Sequence, residues 1–440
     1  MIKVVLVGAG DRADEYAKYA LLSPDKMQVV GIVDPDKIRN DIMREKYSVP
    51  EENCFFSVEE FVARDKFADA VINGTMDQLH VSTSIPILRK GYDMLLEKPF
   101  AVNLTEMKEL VDTVKETGRK VYICHVLRYA PFYREIKKRV MSGEIGRIIS
   151  IQLDEHVSYH HMAVSYVRGK WRSEKICFAP MLLAKSCHDM DIMMWMLSDA
   201  EPVSVASFGG DFQFTPKNKP DGAGERCLVD CPISEECPFA AQYNYVDPQR
   251  WDQYVWKPLE TKGHKWQVHQ PTSDEQKDIL RNSLRTYNDF GKCVWDFERD
   301  GNVDHQAVIV NFDNGTTGVF NMVGGAPRGV RNIQIIGTKG EIKNLDDCRT
   351  FAVRTIDPKE PCGYCEEIVD VREIGETDGI KGGHGGGDIR LIRDFCDVLA
   401  GAEKSVSCTE IMDSTKSHYV VFKAEEARKS GEVVSLSKEY

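Results

Sequence analysis

The chain has 440 residues, of which 42% are hydrophobic and 29% charged, and its formal net charge is −12 at pH 7. This length allows two domains with a sizeable core, and the negative charge argues against a nucleic-acid partner or an anionic membrane surface. Thirteen cysteines, scattered along the chain, favour free thiols over a disulfide framework. Because there is no leader-like start and no apolar run of about 18 residues, we expect a soluble, cytoplasmic protein without a membrane span.

The first residues predict a buried strand, a glycine-rich turn and a helix. The apolar run IKVVLV (2–7) precedes Gly8 and Gly10, and with Ala13 these give the pattern G-x-G-x-x-A. Gly8 permits a tight turn, Gly10 lets the backbone approach a pyrophosphate, and the small Ala13 allows close packing of helix on strand. Asp11 and Arg12 open the helix, whose free N–H groups face the ligand. The pattern is typical of a dinucleotide site.

The second predicted strand, 27–33, ends at Asp34. An acid at this position can accept both ribose hydroxyls of NAD and repels a 2′-phosphate. The sequence therefore favours NAD as the cofactor. NADP stays open, because Lys37 and Arg39 lie close by in the chain and can meet a phosphate.

Strands and helices alternate over residues 1–125, which predicts an α/β domain with a doubly wound parallel Rossmann sheet. Ligands of such sheets bind beyond the carboxyl ends of the strands. The predicted cofactor contacts are Gly8, Gly10, Asp11, Arg12, Asp34, Thr75, His80, Glu97 and Lys98.

Residues 126–440 predict a second, α+β domain with an open, mostly antiparallel sheet. Residues 147–159, 202–209, 303–322 and 331–344 alternate with a period of two, and Asp313-Asn314-Gly315 is a hairpin signal. Residues 211–300 are polar and rich in Lys, Pro, Trp and Tyr, so they predict an irregular insertion.

Three further motifs follow predicted strands or lie on a predicted helix: Glu97-Lys98-Pro99, HVLRYAP (125–131) and CHDMD (187–191). Together with GAGDRA (8–13), they make the chain resemble the Gfo/Idh/MocA oxidoreductases. The resemblance implies a nucleotide domain followed by an open sheet that serves substrate and homo-oligomer contacts. It also implies NAD(P)-dependent oxidation or reduction of a sugar or polyol hydroxyl.

Hydride chemistry at a carbinol carbon needs a proton acceptor and a cation that stabilises the developing alkoxide. Lys98 follows a strand that ends near the cofactor, and in a dry pocket we expect its charged form to be disfavoured. In the predicted helix 180–197, Lys185, His188 and Asp191 fall along one face. Family members commonly carry an acid where this chain has Ala184, so the base stays open between Lys98, Lys185 and His188.

Substrate contacts are predicted from segments rich in rings and cations. The segment 156–172 contains three histidines, and the alternative for it is a polar loop with an interface role. The glycine-rich stretch 382–388 predicts either a loop that closes over substrate or a plain helix entry capped by Asp388. The predicted substrate contacts are Arg128, Tyr129, His156, His160, Arg168, Trp171, Asp191 and His384.

Cys227, Cys231 and Cys237 have the spacing C-x3-C-x5-C. They can hold zinc only if a fourth ligand, such as His264, His269 or Cys293, lies near. Because this spacing is uncommon among zinc sites, free cysteines are favoured and no metal site is predicted.

Three functions remain open from the sequence. The leading one is an NAD-dependent oxidoreductase for a secondary hydroxyl of a carbohydrate, polyol or glycoside. The second is a redox glycoside-cleaving enzyme that oxidises transiently, eliminates and reduces again. The third is a catalytically silent nucleotide or sugar sensor.

Overall fold

The parallel sheet predicted near the N-terminus is present in the computed structural model, which describes residues 1–247, 255, 273–346, 348–374 and 383–437. Among these residues, six parallel strands are ordered β3-β2-β1-β4-β5-β6, as in a Rossmann fold. The strands are β1 (Ile2–Val7), β2 (Met27–Val33), β3 (Cys54–Phe55), β4 (Ala70–Asn73), β5 (Asp93–Leu96) and β6 (Val121–Ile123). In β1, residues 4–7 are fully buried, because helices cover both faces of the sheet.

The second sheet is mostly antiparallel, as predicted, and within the described ranges it has nine strands ordered β14-β13-β12-β11-β7-β10-β9-β8-β15. Only the β7–β10 pair is parallel among its pairings. The strands are β7 (Ile148–Ser158), β8 (Pro202–Gly210), β9 (His305–Phe312), β10 (Thr317–Ala326), β11 (Val330–Gly337), β12 (Gly340–Asn344), β13 (Thr350–Ile356), β14 (Tyr364–Asp370) and β15 (Val434–Ser435). The hairpin at 313–315 joins β9 to β10.

The described helices lie mainly around the first sheet and between the two sheets. They are α1 (Asp11–Ala17), α2 (Tyr19–Leu22), α3 (Lys37–Tyr47), α4 (Val58–Ala63), α5 (His80–Arg89), α6 (Leu104–Thr117), α7 (Pro131–Met141), α8 (Tyr159–His161), α9 (Glu174–Cys177), α10 (Met181–Ala184), α11 (Cys187–Met196), α12 (Asp274–Arg285), α13 (Gly383–Leu399) and α14 (Ile411–Ser430). None of them combines the length and apolar character that crossing a membrane requires.

Two regions differ from the sequence prediction. The insertion 211–300 contains a regular helix, α12, which begins with a capping box at Ser273. Strands β13 and β14 were not predicted. In β14 most residues are exposed and two adjacent ones are acidic, so the strand shows no alternating apolar face.

Helix α13 packs on the first sheet rather than on the second. Ile389, Ile392 and Phe395 share one hydrophobic cluster with Val4 and Leu6 of β1. This packing brings the start of α13 to the carboxyl ends of the parallel strands.

Candidate active site

The glycine turn after β1 leaves an open cradle. Gly8 has φ +83°, and a Cβ there would lie 2.9 Å from the backbone of Gly74. At Gly10 a Cβ would meet no described atom within 4 Å. Ala13 lies against Gly74, whose own Cβ would come within 3.0 Å of the Ala13 Cβ. The turn therefore fits a dinucleotide, with the space for the pyrophosphate next to Gly10.

Asp34, directly after β2, is hydrogen-bonded to the glycine turn. Its Oδ2 accepts a hydrogen bond from the Ala9 N–H at 2.7 Å, and the carboxylate keeps lone pairs for ribose hydroxyls. The two neighbouring cations already have partners: Lys37 lies 2.8 Å from Asp41, and Arg39 lies 3.8 Å from Asp36. This arrangement favours NAD over NADP.

Replacing Gly10 with Ala should weaken NAD binding about tenfold or more while changing the free energy of unfolding by less than about 0.5 kcal/mol. The added methyl fills the cradle, and the Gly10 φ of −95° suits alanine. The matched variant Gly8→Ala should instead lower the free energy of unfolding by about 2 kcal/mol, because its φ is positive and its Cβ collides. For each variant, NADH fluorescence titration measures cofactor affinity and urea unfolding measures the free energy of unfolding. Equal NAD affinity of Gly10→Ala and wild type would contradict the placement of the pyrophosphate next to Gly10.

Arg12 and Glu97, predicted as cofactor contacts, bind each other. Arg12 Nε donates to Glu97 Oε1 at 2.7 Å, and Arg12 Nη2 donates to Asp388 Oδ1 at 2.6 Å. Tyr16 also donates its hydroxyl to Glu97. Asp388 lies 3.0 Å from Nδ1 of His384. These contacts join the glycine turn, the end of β5 and the start of α13.

His80 and Thr75 contact the loops at the same edge of the sheet. His80 is fully buried, and its ring nitrogens lie 2.6 Å from the Pro99 carbonyl and 3.1 Å from the Thr75 carbonyl. The Thr75 hydroxyl donates to Asn73. His80 thus positions the loops after β4 and β5, which the sequence did not reveal.

Removing the Asp388 charge should destabilise the protein. Burial opposes ionisation of Asp388, but His384 and Arg12 hold its pKa well below the usual range. Asp388→Asn should therefore cost about 2 kcal/mol at pH 7, less than a fully buried pair, because the Arg12 side chain is 35% exposed. Because the pKa of Asp388 is lower in the folded than in the unfolded state, its contribution to stability is lost as pH falls. The difference in free energy of unfolding between wild type and Asp388→Asn should therefore shrink below about pH 4. Urea unfolding across pH measures it, with the exposed Asp112→Asn as control. A difference that stays constant from about pH 4 down to about pH 2 would contradict the ion pair.

Lys98 keeps its charge, contrary to the sequence prediction. Its Nζ donates to the carbonyl of Ala184 at 3.2 Å. Burial alone lowers the pKa of Lys98, but Cys187, Glu97 and Asp77 around it raise the pKa above its usual value. The prediction considered burial and missed these neighbours. The ammonium is therefore a permanent cation at pH 7.

His188 lies beside this cation as a neutral imidazole. It is 5% exposed, and its ring centroid lies 5.7 Å from that of His384 and 6.0 Å from that of His125. Burial, then the charge of Lys98, lowers the pKa of His188 well below its usual value. Its Nδ1 is buried and has no hydrogen-bond partner in the described part of the chain. A neutral ring with an unpaired nitrogen can accept a proton.

Lys185 belongs to a buried ion cluster that the sequence analysis did not predict. Its Nζ lies 2.7 Å from Glu155, and Arg331 lies 2.5 Å from Glu155 and 2.9 Å from Asp189. Burial lowers the pKa of Lys185 and raises that of Asp189 to about 6. His161 is also close, since Lys185 contributes to lowering its pKa after burial. Arg331 and Glu155 meet because β11 pairs with β7 in that register, which only the folded sheet defines.

Two family models match the sequence. The first, described as an oxidoreductase family with an NAD-binding Rossmann fold, matches residues 2–125. The second, the C-terminal alpha/beta domain of that family, matches residues 137–361. This chain belongs to the Gfo/Idh/MocA oxidoreductase family. It is thus an oxidoreductase with an NAD-binding domain.

The chain is similar to several oxidoreductases and dehydrogenases. The putative oxidoreductase YteT of Bacillus subtilis (strain 168) is 25% identical over 397 residues, which cover 86% of each chain. The scyllo-inositol 2-dehydrogenase (NAD(+)) of the same organism is 27% identical over 210 residues, 47% of this chain and 57% of that protein. Among solved structures, WlbA dehydrogenase from Bordetella pertussis, in complex with NADH and UDP-GlcNAcA, has a TM-score of 0.66 at 16% identity. That alignment covers 100% of this chain and 98% of the other.

Asp191 does not orient His188 in this Gfo/Idh/MocA protein. The predicted helix 180–197 breaks at residues 185 and 186 into α10 and α11, so helical spacing does not hold between Lys185 and His188. Asp191 instead accepts two hydrogen bonds from Arg128, at 2.7 and 2.6 Å, and both side chains are buried. Arg128 and Asp191 thus bind each other, and their role as substrate contacts stays a prediction.

Three other predicted substrate contacts also serve the fold. The Tyr129 hydroxyl donates to Asp394 inside the core of the first sheet. His156 alternates with the buried Glu155 along β7 and so lies on the opposite face of the sheet. Arg168 is 2% exposed and binds residues of the insertion. The sequence pattern predicts residue types that suit substrate binding, but it does not predict on which face of a strand or helix they lie.

The remaining predicted contacts surround the site. The Trp171 indole donates to Asp77 at 2.9 Å, beside the loop after β4. The His160 ring centroid lies 5.2 Å from that of Tyr159 at the end of β7. The His384 side chain is 33% exposed, over His188.

Proposed function

We propose that this enzyme oxidises or reduces a secondary hydroxyl of a carbohydrate, polyol or glycoside with NAD. The observation that carries the proposal is the pairing of a charged Lys98 with a neutral, buried His188 at the carboxyl ends of the parallel strands. The substrate class is supported by the similarity to an inositol dehydrogenase and to a dehydrogenase that binds a sugar nucleotide.

The two side chains have complementary roles in the oxidation direction. The ammonium of Lys98 donates a hydrogen bond to the substrate oxygen and stabilises its developing negative charge. The imidazole of His188 accepts the hydroxyl proton. Bound NAD supplies the hydride acceptor. Lys185, held by Glu155, is less available as the base than His188.

A panel of polyols, sugars, glycosides and sugar acids tests the proposal. Protein is mixed with NAD and each compound, or with NADH and the corresponding carbonyl compound, and NADH absorbance is followed. At least one compound should give turnover. Failure of every compound in both directions, with NAD binding intact, would overturn simple dehydrogenation.

A redox glycoside-cleaving reaction is the second candidate, favoured by the additional acid–base groups beside His188. Asp189, with a pKa of about 6, and Lys185, whose pKa is lowered by burial, can serve later proton transfers in such a sequence. Release of the aglycone from a glycoside without net NADH would identify this reaction.

Self-association through the open face of the second sheet is also proposed. Exposed apolar side chains on β7, β8 and β9 include Ile149, Phe208 and Ile309. Wild-type protein should sediment as an oligomer, and Phe208→Asp should shift it toward monomer. A monomeric wild type at micromolar concentration would contradict this assignment.

A further inference from the structure

Four cysteines of the insertion converge on one small cavity. Cys227, Cys231, Cys237 and Cys293 all line it. The Cys227 N–H donates to the Gly291 carbonyl at 2.9 Å, and the Cys293 N–H donates to the Glu225 carbonyl at 2.9 Å. This backbone pairing holds the loop that carries three of the cysteines against the segment that carries the fourth.

The same cavity contains a buried cation that has no acidic partner. The Arg168 guanidinium donates to the Tyr245 hydroxyl and the Phe239 carbonyl, each at 3.0 Å, and lies 3.5 Å from the Cys227 sulfur. No carboxylate of the described residues lies within ion-pair distance of it. A buried guanidinium needs an anion nearby.

The cysteines provide that anion only if they lose their protons. All four are free cysteines. Metal ligation removes the protons and leaves thiolates beside Arg168.

Backbone donors are already aimed at two of the sulfurs. The Phe239 N–H donates to Cys237, and the Trp295 N–H donates to Cys293. In each case the donor lies two residues after the cysteine. Hydrogen bonds to sulfur stabilise thiolates that are bound to metal.

The spacing of the sulfurs distinguishes between metals. Four thiolates about 2.3 Å from one zinc ion lie roughly 3.8 Å apart. In the described part of the chain, no three of these sulfurs lie within 4.8 Å of one another. An iron–sulfur cluster spreads its cysteines further, because they bind different irons. Three cysteines in one loop and a distant fourth is also the arrangement of plant-type iron–sulfur ligands, although the C-x3-C-x5-C spacing of this chain differs from theirs.

We propose that Cys227, Cys231, Cys237 and Cys293 ligate an iron–sulfur cluster. Each thiol releases its proton, and iron with inorganic sulfide fills the cavity. The cluster anchors Arg168 and thereby fixes the segment that runs from His161 to Trp171 beside the active site. Its role is structural and does not depend on the proposed substrate.

Metal analysis of the full-length protein, purified without oxygen, tests the proposal. Iron and acid-labile sulfide should be present in equal amounts, about two or four of each per chain, with visible cluster absorbance. The double variant Cys231→Ser, Cys237→Ser should lose both. The control Cys362→Ser, Cys365→Ser, at exposed positions, should keep them.

Zinc binding, an absence of metal and a wrong ligand set give different results. About one zinc per chain without sulfide, or no metal in wild-type protein, would overturn the cluster. Iron and sulfide that persist in the Cys231, Cys237 double variant would overturn this ligand set. NADH titration of each variant reports whether the first sheet is folded, independently of any turnover.

Discussion

Replacing Lys98 with Met should lower kcat/KM by about 10³-fold while NAD binding stays within a few-fold of wild type. Methionine preserves the length and packing of the side chain but removes the cation and its hydrogen bond. The loss should fall mainly on kcat, because the ammonium acts on charge that develops as the reaction proceeds. Steady-state kinetics with the best compound of the panel, and NADH titration, measure the two quantities.

The control for this variant is Lys108→Met, at an exposed position on α6. It should match wild type in both assays. Turnover of Lys98→Met within threefold of wild type would remove Lys98 from the mechanism, whatever the substrate.

Replacing His188 with Gln should lower kcat/KM by about 10²- to 10³-fold, because glutamine cannot accept the proton. The prediction also concerns the pH dependence of kcat/KM in the wild-type enzyme. The pKa of His188 lies well below its usual value of 6.5, and that of Lys98 lies above 10.5. The base stays unprotonated and the cation protonated, so kcat/KM should be flat from about pH 6.5 to 9.

His305→Gln is the matched control, since that side chain is half exposed on β9. It should leave both rate and profile unchanged. An acid limb centred near pH 6.5 in wild type that persists in His188→Gln would show that another group accepts the proton.

The fold was largely predictable because its signals are local. The apolar run before Gly8, the acid at Asp34 and the alternation around the 313–315 hairpin each depend on a few neighbouring residues. The residues after the parallel strands were predictable for the same reason, since every such strand end lies at one edge of the sheet.

The rest depends on contacts between distant segments. Asp191 lies next to Arg128 because α11 packs against the turn after β6, and Glu155 meets Arg331 through strand register. The pKa of Lys98 depends on Asp77 and Cys187, which come from separate parts of the chain. Spacing along the sequence predicts none of these partners.

The packing of α13 on the first sheet has a consequence for dissecting the protein. A fragment of residues 1–125 contains every strand of the first sheet but lacks Ile389, Ile392 and Phe395, which complete its hydrophobic cluster. Such a fragment would expose an apolar surface to water and aggregate. The nucleotide-binding domain therefore completes its hydrophobic core only after residues 389–395 have been synthesised.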